Sequence, residues 1–517
     1  MAVRSLLIKS AKRGATPAYV AVDLEPLGLL YVAAFVRRYS AHAVTVLDAQ
    51  AGAAGVERTA DGAWRMGMPD DAIRDAIRAA RPHVVGISAL FEVQQGEVLR
   101  VAALAKAVSP ETVVVVGGLD AGVRHQEYLR ARTVDLVVRG DGEETFLEIL
   151  DRVDRGAALS GIAGTCERGT QHPPRVPRVP FDAYPYPDRA ALPRAPYDGA
   201  RAQAASFPFA RRRPALLVQG SRGCRLRCAF CDIVAVQSEW SAHSPEYVAD
   251  EVQHCVEDHG AREIVFVDDN FMLDKRWAAR VFELIAARDL GIALDVMAGV
   301  AVWTLSETMI DLMARAGLYR VCLPIESGNP ATLRFIRKPV DLDKVAAMID
   351  YCNRRGLYTF ANLIIGFPFE TAEDIARTIA WGRGSGLDAV HYFIATPLPG
   401  ARMYAIYEEN GWLSPGESSR MTWRTRHFTR AELEGMAQEA ARDYLRRRVR
   451  FYLDPRHARR YLLPKLASRQ KLAYALRLGA TLLGGSRARL PAATSRDDRL
   501  GAPAALPAHE RLRKVAT

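Results

Sequence analysis

The chain has 517 residues, enough for two or three domains with substantial cores, and its 49% hydrophobic and 25% charged content is that of an ordinary globular protein. No apolar run approaches the length of a bilayer-spanning helix, and seven cysteines, an odd number, exclude a regular disulfide framework and favour a reducing cytoplasm. The net charge of +11 is uneven: Arg442 to Lys471 holds eleven Lys and Arg against Asp443 and Asp454, so the rest of the chain is nearly neutral and no specific nucleic acid is expected.

The first apolar stretch, LLIK, reads as a strand and not as a leader. Strands are expected at Ser5–Lys9, Ala43–Ala49, His83–Ala89, Thr112–Gly118 and Asp135–Asp141, separated by helical periods such as GLLYVAAFVRRYS. Near-continuous Val/Ile runs fit strands buried on both faces, so residues 1–155 read as a flavodoxin-like (Rossmann-like) α/β domain with a parallel sheet. A ligand of such a sheet sits beyond the carboxyl ends of the strands, which carry Asp48, Ser88, Gly117, Gly118 and the run Gly140–Glu143. Residues 156–212, with HPPRVPRVPFDAYPYPDR, read as a proline-rich linker. A second β/α series follows, with strands expected at 216–220, 263–269, 293–299, 320–327, 358–367 and 389–397. Six units fit an open partial barrel of TIM type over 213–410, with Ser244 capping its first helix and Glu246 and Glu251 in the early turns. Residues 411–485 read as helical and basic, and 486–517 as a disordered tail.

Three of the seven cysteines, Cys224, Cys228 and Cys231, fall in GSRGCRLRCAFCDIV, directly after the first barrel strand. Three soft thiolates at C-x3-C-x2-C spacing point to an iron–sulfur cluster or to zinc. A structural zinc site wants four protein ligands, whereas three cysteines leave one iron of a 4Fe–4S cluster open to a substrate or cofactor. On chemistry alone the cluster leads, and zinc stays open.

C-x3-C-x-aromatic-C after a first barrel strand resembles the signature of the radical S-adenosylmethionine (SAM) enzymes. The resemblance implies that the open iron is chelated by SAM, whose reductive cleavage gives a 5′-deoxyadenosyl radical, and that Phe230 lies beside the cluster and adenine. It extends to later strands. Asp268, Asp269 and Asn270 stand where the family has Gly-Gly-Glu contacting the SAM amino group. Glu326 and Ser327 match the ribose-contacting segment; Ile364, Gly366 and Glu370 match the adenine-side element, with Asn362 replacing its first glycine. Pro397 belongs to a Pro-x-Pro-Gly turn in which Ala401 replaces Thr. Each has a plainer reading: Asp268 as a cap of the next helix, Glu370 as a helix-dipole partner, Gly366 as a tight turn.

A small α/β domain, a proline-rich linker and this barrel, in that order, resemble the cobalamin (B12)-binding subclass. The matching segments place its cobalamin-side residues at Leu27, Gly28, Asp48, Ser88, Gly117, Gly118, Gly140, Gly142 and Glu143, with Gly-Asp-Gly-Glu where Gly-Glu-Gly-Glu is usual. No Asp-x-His-x-x-Gly motif occurs, so no histidine ligand to cobalt is encoded. The resemblance implies a C-methyltransferase that uses the radical and methylcobalamin on an unactivated carbon of a natural-product, lipid or cofactor precursor. The alternatives are radical cyclisation, rearrangement or oxidation without methyl transfer and, from another class, a non-catalytic metal- or corrinoid-binding protein. A tRNA methylthiotransferase would want further cysteines in residues 1–155, which hold none. No catalytic acid or base is singled out. Expected partners are a small-molecule or lipid substrate and an electron donor such as flavodoxin or ferredoxin. The basic, Leu- and Tyr-interleaved segment 442–480 is a candidate for peripheral contact with anionic membrane, or a solvated helix face packed on the barrel.

Overall fold

In a computed structural model of the chain, residues 2–14, 24–51, 56–194, 197, 210–414, 422–467 and 469–485 are described; the tail expected over 486–517 lies outside them. Five Val- and Ile-rich segments form parallel strands: β1 (Arg4–Lys9), β2 (Ala43–Asp48), β3 (Val84–Ser88), β4 (Val113–Gly117) and β5 (Leu136–Val138). Their spatial order, β2-β1-β3-β4-β5, is flavodoxin-like. Helices α1 (Leu27–Tyr39), α2 (Asp70–Ala80), α3 (Gln95–Val108) and α4 (Glu143–Asp154) cover it. Leu30, Val36, Phe146 and Ile149 of α1 and α4 fill one face; Ile73, Ile77, Val98 and Val101 of α2 and α3 fill the other. This double burial is why the strands are apolar throughout.

The sheet continues past residue 155. The expected linker first adds an antiparallel hairpin, β6 (Thr165–Glu167) and β7 (Thr170–Gln171), to the β5 edge. Beyond it the proline-rich chain is anchored. The Tyr184 hydroxyl donates to Glu144 at 3.1 Å, and buried Arg189 donates to the Leu217 carbonyl and pairs with Glu25 at 3.3 Å. The segment's described part, up to residue 194, is packed structure between sheet and barrel.

The barrel strands are β8 (Ala215–Val218), β9 (Glu263–Phe266), β10 (Ala293–Val296), β11 (Arg320–Glu326), β12 (Tyr358–Ile365) and β13 (Ala389–Ile394). They form two parallel three-stranded halves joined by a bridge from Leu294 to Leu318, an open partial barrel. Helices α5 (Pro245–Glu257), α6 (Lys275–Arg288), α7 (Glu307–Ala316), α8 (Leu342–Arg354) and α9 (Ala372–Gly384) wrap its outside. Their starts are chemically marked: the Ser244 hydroxyl accepts from the Tyr247 amide at 3.1 Å, and Thr371 with Asp374 forms a capping box. Glu251 is fully buried and takes the Tyr31 hydroxyl at 3.3 Å, a contact to the first domain in place of a surface dipole effect.

Alternation separates outside from inside. Leu216, Val218, Ile264 and Phe266 face the helices, while Leu217 and Val265 meet Leu27 and Tyr31 of α1. Inside the barrel, Arg320 pairs with Asp295 at 2.6 Å near the floor. Half-buried Cys322, Pro324, Asn362 and His391 lie above; cross-strand register puts Asn362 beside His391 and Ile364 beside Phe393 at the mouth.

The C-terminal region contains α10 (Arg430–Leu453) and α11 (Arg469–Gly485). Tyr474, fully buried, packs on Tyr319 and Tyr358, and its hydroxyl accepts from Arg320 at 3.1 Å, so α11 closes the barrel floor. Part of the basic segment is therefore structural. Arg448 and Lys465 turn inward onto Asp388 at 3.3 and 2.5 Å; burial opposes the Asp388 charge, but the two cations outweigh it and hold the carboxyl below its usual range. Val449, Leu453, Leu463, Leu472 and Leu476 remain exposed. Among the described residues no helix is long and apolar enough to cross a membrane.

Candidate functional site

The cysteine loop leaves the carboxyl end of β8 through a two-stranded ribbon, Ser221–Arg222 against Ser241–Ala242. Gly223 has φ +77, and a Cβ there would overlap the Glu239 carbonyl, so only glycine makes this entry without strain. Cys224 and Cys228 are each 8% exposed and Cys231 is half-buried. Burial pushes the Cys231 thiol up to about 12, so it ionises readily only against a compensating cation. Phe230 packs toward Phe367, 6.2 Å between ring centres. Among the described residues no three His, Cys, Asp or Glu side chains converge tightly enough to hold one metal ion.

The polar residues after β9 hold this loop in place. Asp268 accepts from the Ser221 hydroxyl at 2.6 Å, from the Ser221 amide, and from the Gly220 amide at 3.3 Å; burial pushes its carboxyl up to about 7. Asp269 accepts from the Gly223 amide at 2.8 Å, and the Asn270 amide donates to the Cys224 sulfur at 3.7 Å. Asp268 is thus neither a helix cap nor turned to open space: both its oxygens are taken by the loop. Glu370 behaves likewise, accepting from the Gly366 and Phe367 amides at 2.8 and 3.1 Å and from Thr332 at 2.8 Å. Gly366 has φ +82, and a Cβ there would overlap Leu433 of α10. Ser327 is buried against Thr378, and Pro397 is buried in its turn.

Glu326, at the end of β11, has φ +69, a left-handed conformation unusual for a non-glycine. Its carboxylate takes Lys338 Nζ at 3.0 Å. Burial would lower Lys338, but Glu326, and after it the Cys228 thiol, hold the ammonium above its ordinary range. Lys338 is a residue that sequence reading passes over, since it lies in a loop with no motif around it. Ile364 is half-buried at the barrel mouth.

On the other side stand the strand ends of the first domain. Gly28 and Gly140 have open space where a Cβ would be, so a ligand can lie against their backbone. Gly118 has φ +115 and a Cβ there would lie 2.5 Å from the Ala89 carbonyl oxygen. Gly117 and Gly142 show ordinary contacts, and Ser88 is half-buried. Asp48 is occupied: it accepts from Lys9 at 2.8 Å, Tyr197 at 2.7 Å and the Gln50 amide at 2.8 Å. Leu27 faces the barrel. The rim beyond β3 exposes Leu90 and Phe91.

Glu143 makes the joint between the two halves. Arg222, two residues before Cys224, donates to both Glu143 oxygens at 2.7 and 3.1 Å and pairs with Asp141 at 3.1 Å. Its guanidinium lies over the rings of Tyr31 and Phe181 at 5.3 and 5.2 Å. The Gln237 amide adds a 3.1 Å bond to Asp141. The Gly-Asp-Gly-Glu turn of one domain and the cysteine loop of the other are therefore clamped together.

Comparison with known proteins agrees with this arrangement. The B12 binding domain family matches residues 16–150, and the Radical SAM superfamily matches residues 218–382. The chain joins a B12-binding domain to a radical SAM domain. It is 29% identical to the uncharacterized methyltransferase PH0819 of Pyrococcus horikoshii, over 88% of this chain and 93% of that one. It is 28% identical to cytidylyl-2-hydroxyethylphosphonate methyltransferase of Streptomyces wedmorensis, over 83% and 87%. In fold it is similar to the radical SAM methyltransferase TsrM of Kitasatospora setae, solved with tryptophan substrate and a SAM analogue (TM-score 0.64, 17% identity, 80% of this chain and 77% of that one). This radical SAM enzyme uses a 4Fe–4S cluster, SAM and cobalamin.

Proposed function

We propose that the enzyme transfers a methyl group to a carbon of a small-molecule substrate, of natural-product, lipid or cofactor-precursor type, held between the two clamped domains. When bound, the cofactors supply hydrogen abstraction and a methyl donor; the chain positions them and keeps water out. Cys224, Cys228 and Cys231 hold the cluster: a set of three thiols suits iron–sulfur and leaves one iron open. Asn270 orients Cys224. Glu326 and Lys338 form the charged wall beside the cluster, suited to the polar groups of SAM, and Phe230 and Ile364 offer apolar surface to its adenine. Asp268, Asp269, Gly366 and Glu370 act at one remove, by shaping the loops. On the opposite side the open backbone at Gly28 and Gly140, with Ser88 and Gly118, forms the cobalamin cradle.

The observation that carries this reading is the Arg222–Glu143 clamp, which ties the cysteine loop to the Gly-Asp-Gly-Glu turn at the carboxyl end of the first sheet. Relatives named methyltransferases align over more than four-fifths of the chain, which favours methyl transfer over cyclisation. The buried free thiols fit a reducing cytoplasm, and the reaction calls for a low-potential electron donor.

Anaerobic purification with iron, sulfide and cobalamin tests it. About four irons per chain, bound corrinoid and the release of both S-adenosylhomocysteine and 5′-deoxyadenosine are expected. Deoxyadenosine alone in the presence of a turned-over substrate would mean radical chemistry without methyl transfer. Bound zinc and no SAM cleavage would refute the whole reading.

A further inference from the structure

Three segments meet on the outer side of the cysteine loop. The Ala229 amide donates to the Ile336 carbonyl at 3.1 Å, and the Met403 amide donates to the Ala229 carbonyl at 2.7 Å. The loop, the end of helix Pro330–Ile336 and the start of helix Arg402–Glu409 thus form one continuous surface. Each brings arginines to it. Arg225 and Arg227 are exposed on the loop, Arg334 and Arg337 are exposed at the helix end, and Arg402 is half-buried beside them. Partial burial, and then the neighbouring Arg337 charge, pull Arg402 below its ordinary range, which places the two guanidinium groups in each other's field.

These charges are not neutralised locally. Among the described residues none of the five guanidinium groups is engaged in a side-chain hydrogen bond or ion pair. Among the described residues some arginines on other surfaces are paired, as Arg280 is with Glu246 at 3.3 Å and Arg377 with Glu373 at 2.6 Å, while others, such as Arg442 and Arg446, are not; what marks this face is the convergence of five beside the cysteine loop. An open groove of about 740 Å³ runs along the patch, with Leu333 and Val340 as its apolar lining between Arg334 and Arg337. Two acids also line it: Asp341 is turned to the amides of Asp343 and Lys344, both at 3.1 Å, as a helix cap, and exposed Asp343 lies in the first turn of that helix. A basic patch beside an apolar groove, on segments bonded to the cysteine loop, has the character of an electron-transfer docking face.

We propose that this face docks a small acidic one-electron carrier of the flavodoxin type. The inference rests on the assignment of Cys224, Cys228 and Cys231 to the cluster. The carrier's fully reduced flavin gives up one electron and becomes its one-electron form; the oxidised cluster takes that electron and no bond is made or broken. Arg225, Arg227 and Arg337 steer and seat the carrier and do not touch substrate or SAM.

The test uses the reconstituted full-length enzyme and the triple variant R225E/R227E/R337E, with cluster reduction followed by loss of visible absorption and by electron paramagnetic resonance. Reduced flavodoxin and dithionite serve as the two reductants. Flavodoxin-driven reduction is expected to fall at least tenfold in the variant, while dithionite-driven reduction keeps its wild-type rate. The charge-conserving set R225K/R227K/R337K should restore most of the flavodoxin rate. In the wild type that rate should drop steeply as salt rises from about 50 to 300 mM. A variant reduced by flavodoxin at the wild-type rate overturns the proposal, and so does a wild-type rate indifferent to salt. Equal losses with both reductants also overturn it, since the arginines would then support the cluster itself. A wild-type protein that dithionite cannot reduce at all would instead defeat the cluster assignment.

Discussion

Arg222→Met asks whether the two domains are held by charge. Arg222 and Glu143 are 6% and 3% exposed, and the methionine keeps much of the apolar stem while removing the cation. Glu143 is then left charged in a site built for a partner, while half-exposed Asp141 can turn to water. Removing one member of a buried pair costs about 3–5 kcal/mol, and loss of the contacts over Tyr31 and Phe181 adds on the order of 1 kcal/mol. The single variant should lose about 5 kcal/mol. Glu143→Gln added to it removes the stranded charge, so the double variant should recover all but about 1 kcal/mol. Guanidinium unfolding of the full chain, with midpoint and slope both recorded, reads these differences. A single variant within about 1 kcal/mol of wild type, or a double variant no more stable than the single, would show that the clamp is not an energetically coupled pair.

Two further outcomes follow from other sites. Burial pushes Glu263, which accepts from the Arg212 amide at 2.8 Å and the Tyr319 hydroxyl at 3.0 Å, up to about 7. Its folded state binds the proton more tightly than the unfolded chain, so its contribution is full below the unfolded value of 4.5 and is lost as pH rises through about 7. Glu263→Gln should therefore flatten the decline in denaturation midpoint between about pH 5 and 8 by on the order of 2 kcal/mol; an unchanged slope would count against it. Gly366→Ala forces a side chain onto a positive φ and into Leu433, at about 1–3 kcal/mol. Faster amide exchange in α10 around Leu433 is the expected signature, and unaltered exchange would mean the contact is not tight.

Both parallel sheets were legible because their physics is local. Strands buried on two faces must be apolar along their length, and VVVV at 113–116 or ANLII at 361–365 can hardly be read otherwise. Strand ends ran long in the reading, to 269 in place of Phe266, because the Asp268–Asn270 carboxylates and amide look the same in sequence whether they face a ligand or their own loop. The hairpin at 165–171 was hidden by the prolines that follow it, although it is set by the free edge of β5. Distance in sequence concealed the most. Nothing local to Arg222 tells of Glu143, 79 residues away, and nothing local to Tyr474 tells of Arg320, 154 away. The basic C-terminal segment was the opposite case: its charge stood out, yet two of its cations, Arg448 and Lys465, serve the interior.

With Tyr474 and Leu478 packed against its floor, the open partial barrel is stoppered at that end. The other end is apolar at its rim: Met297 and Phe393 on the barrel, and Leu90 and Phe91 beyond β3 of the first domain, are all exposed. For the reaction proposed above, a substrate entering from that end meets apolar surface first, so the rim favours a reacting arm carried on an apolar stem.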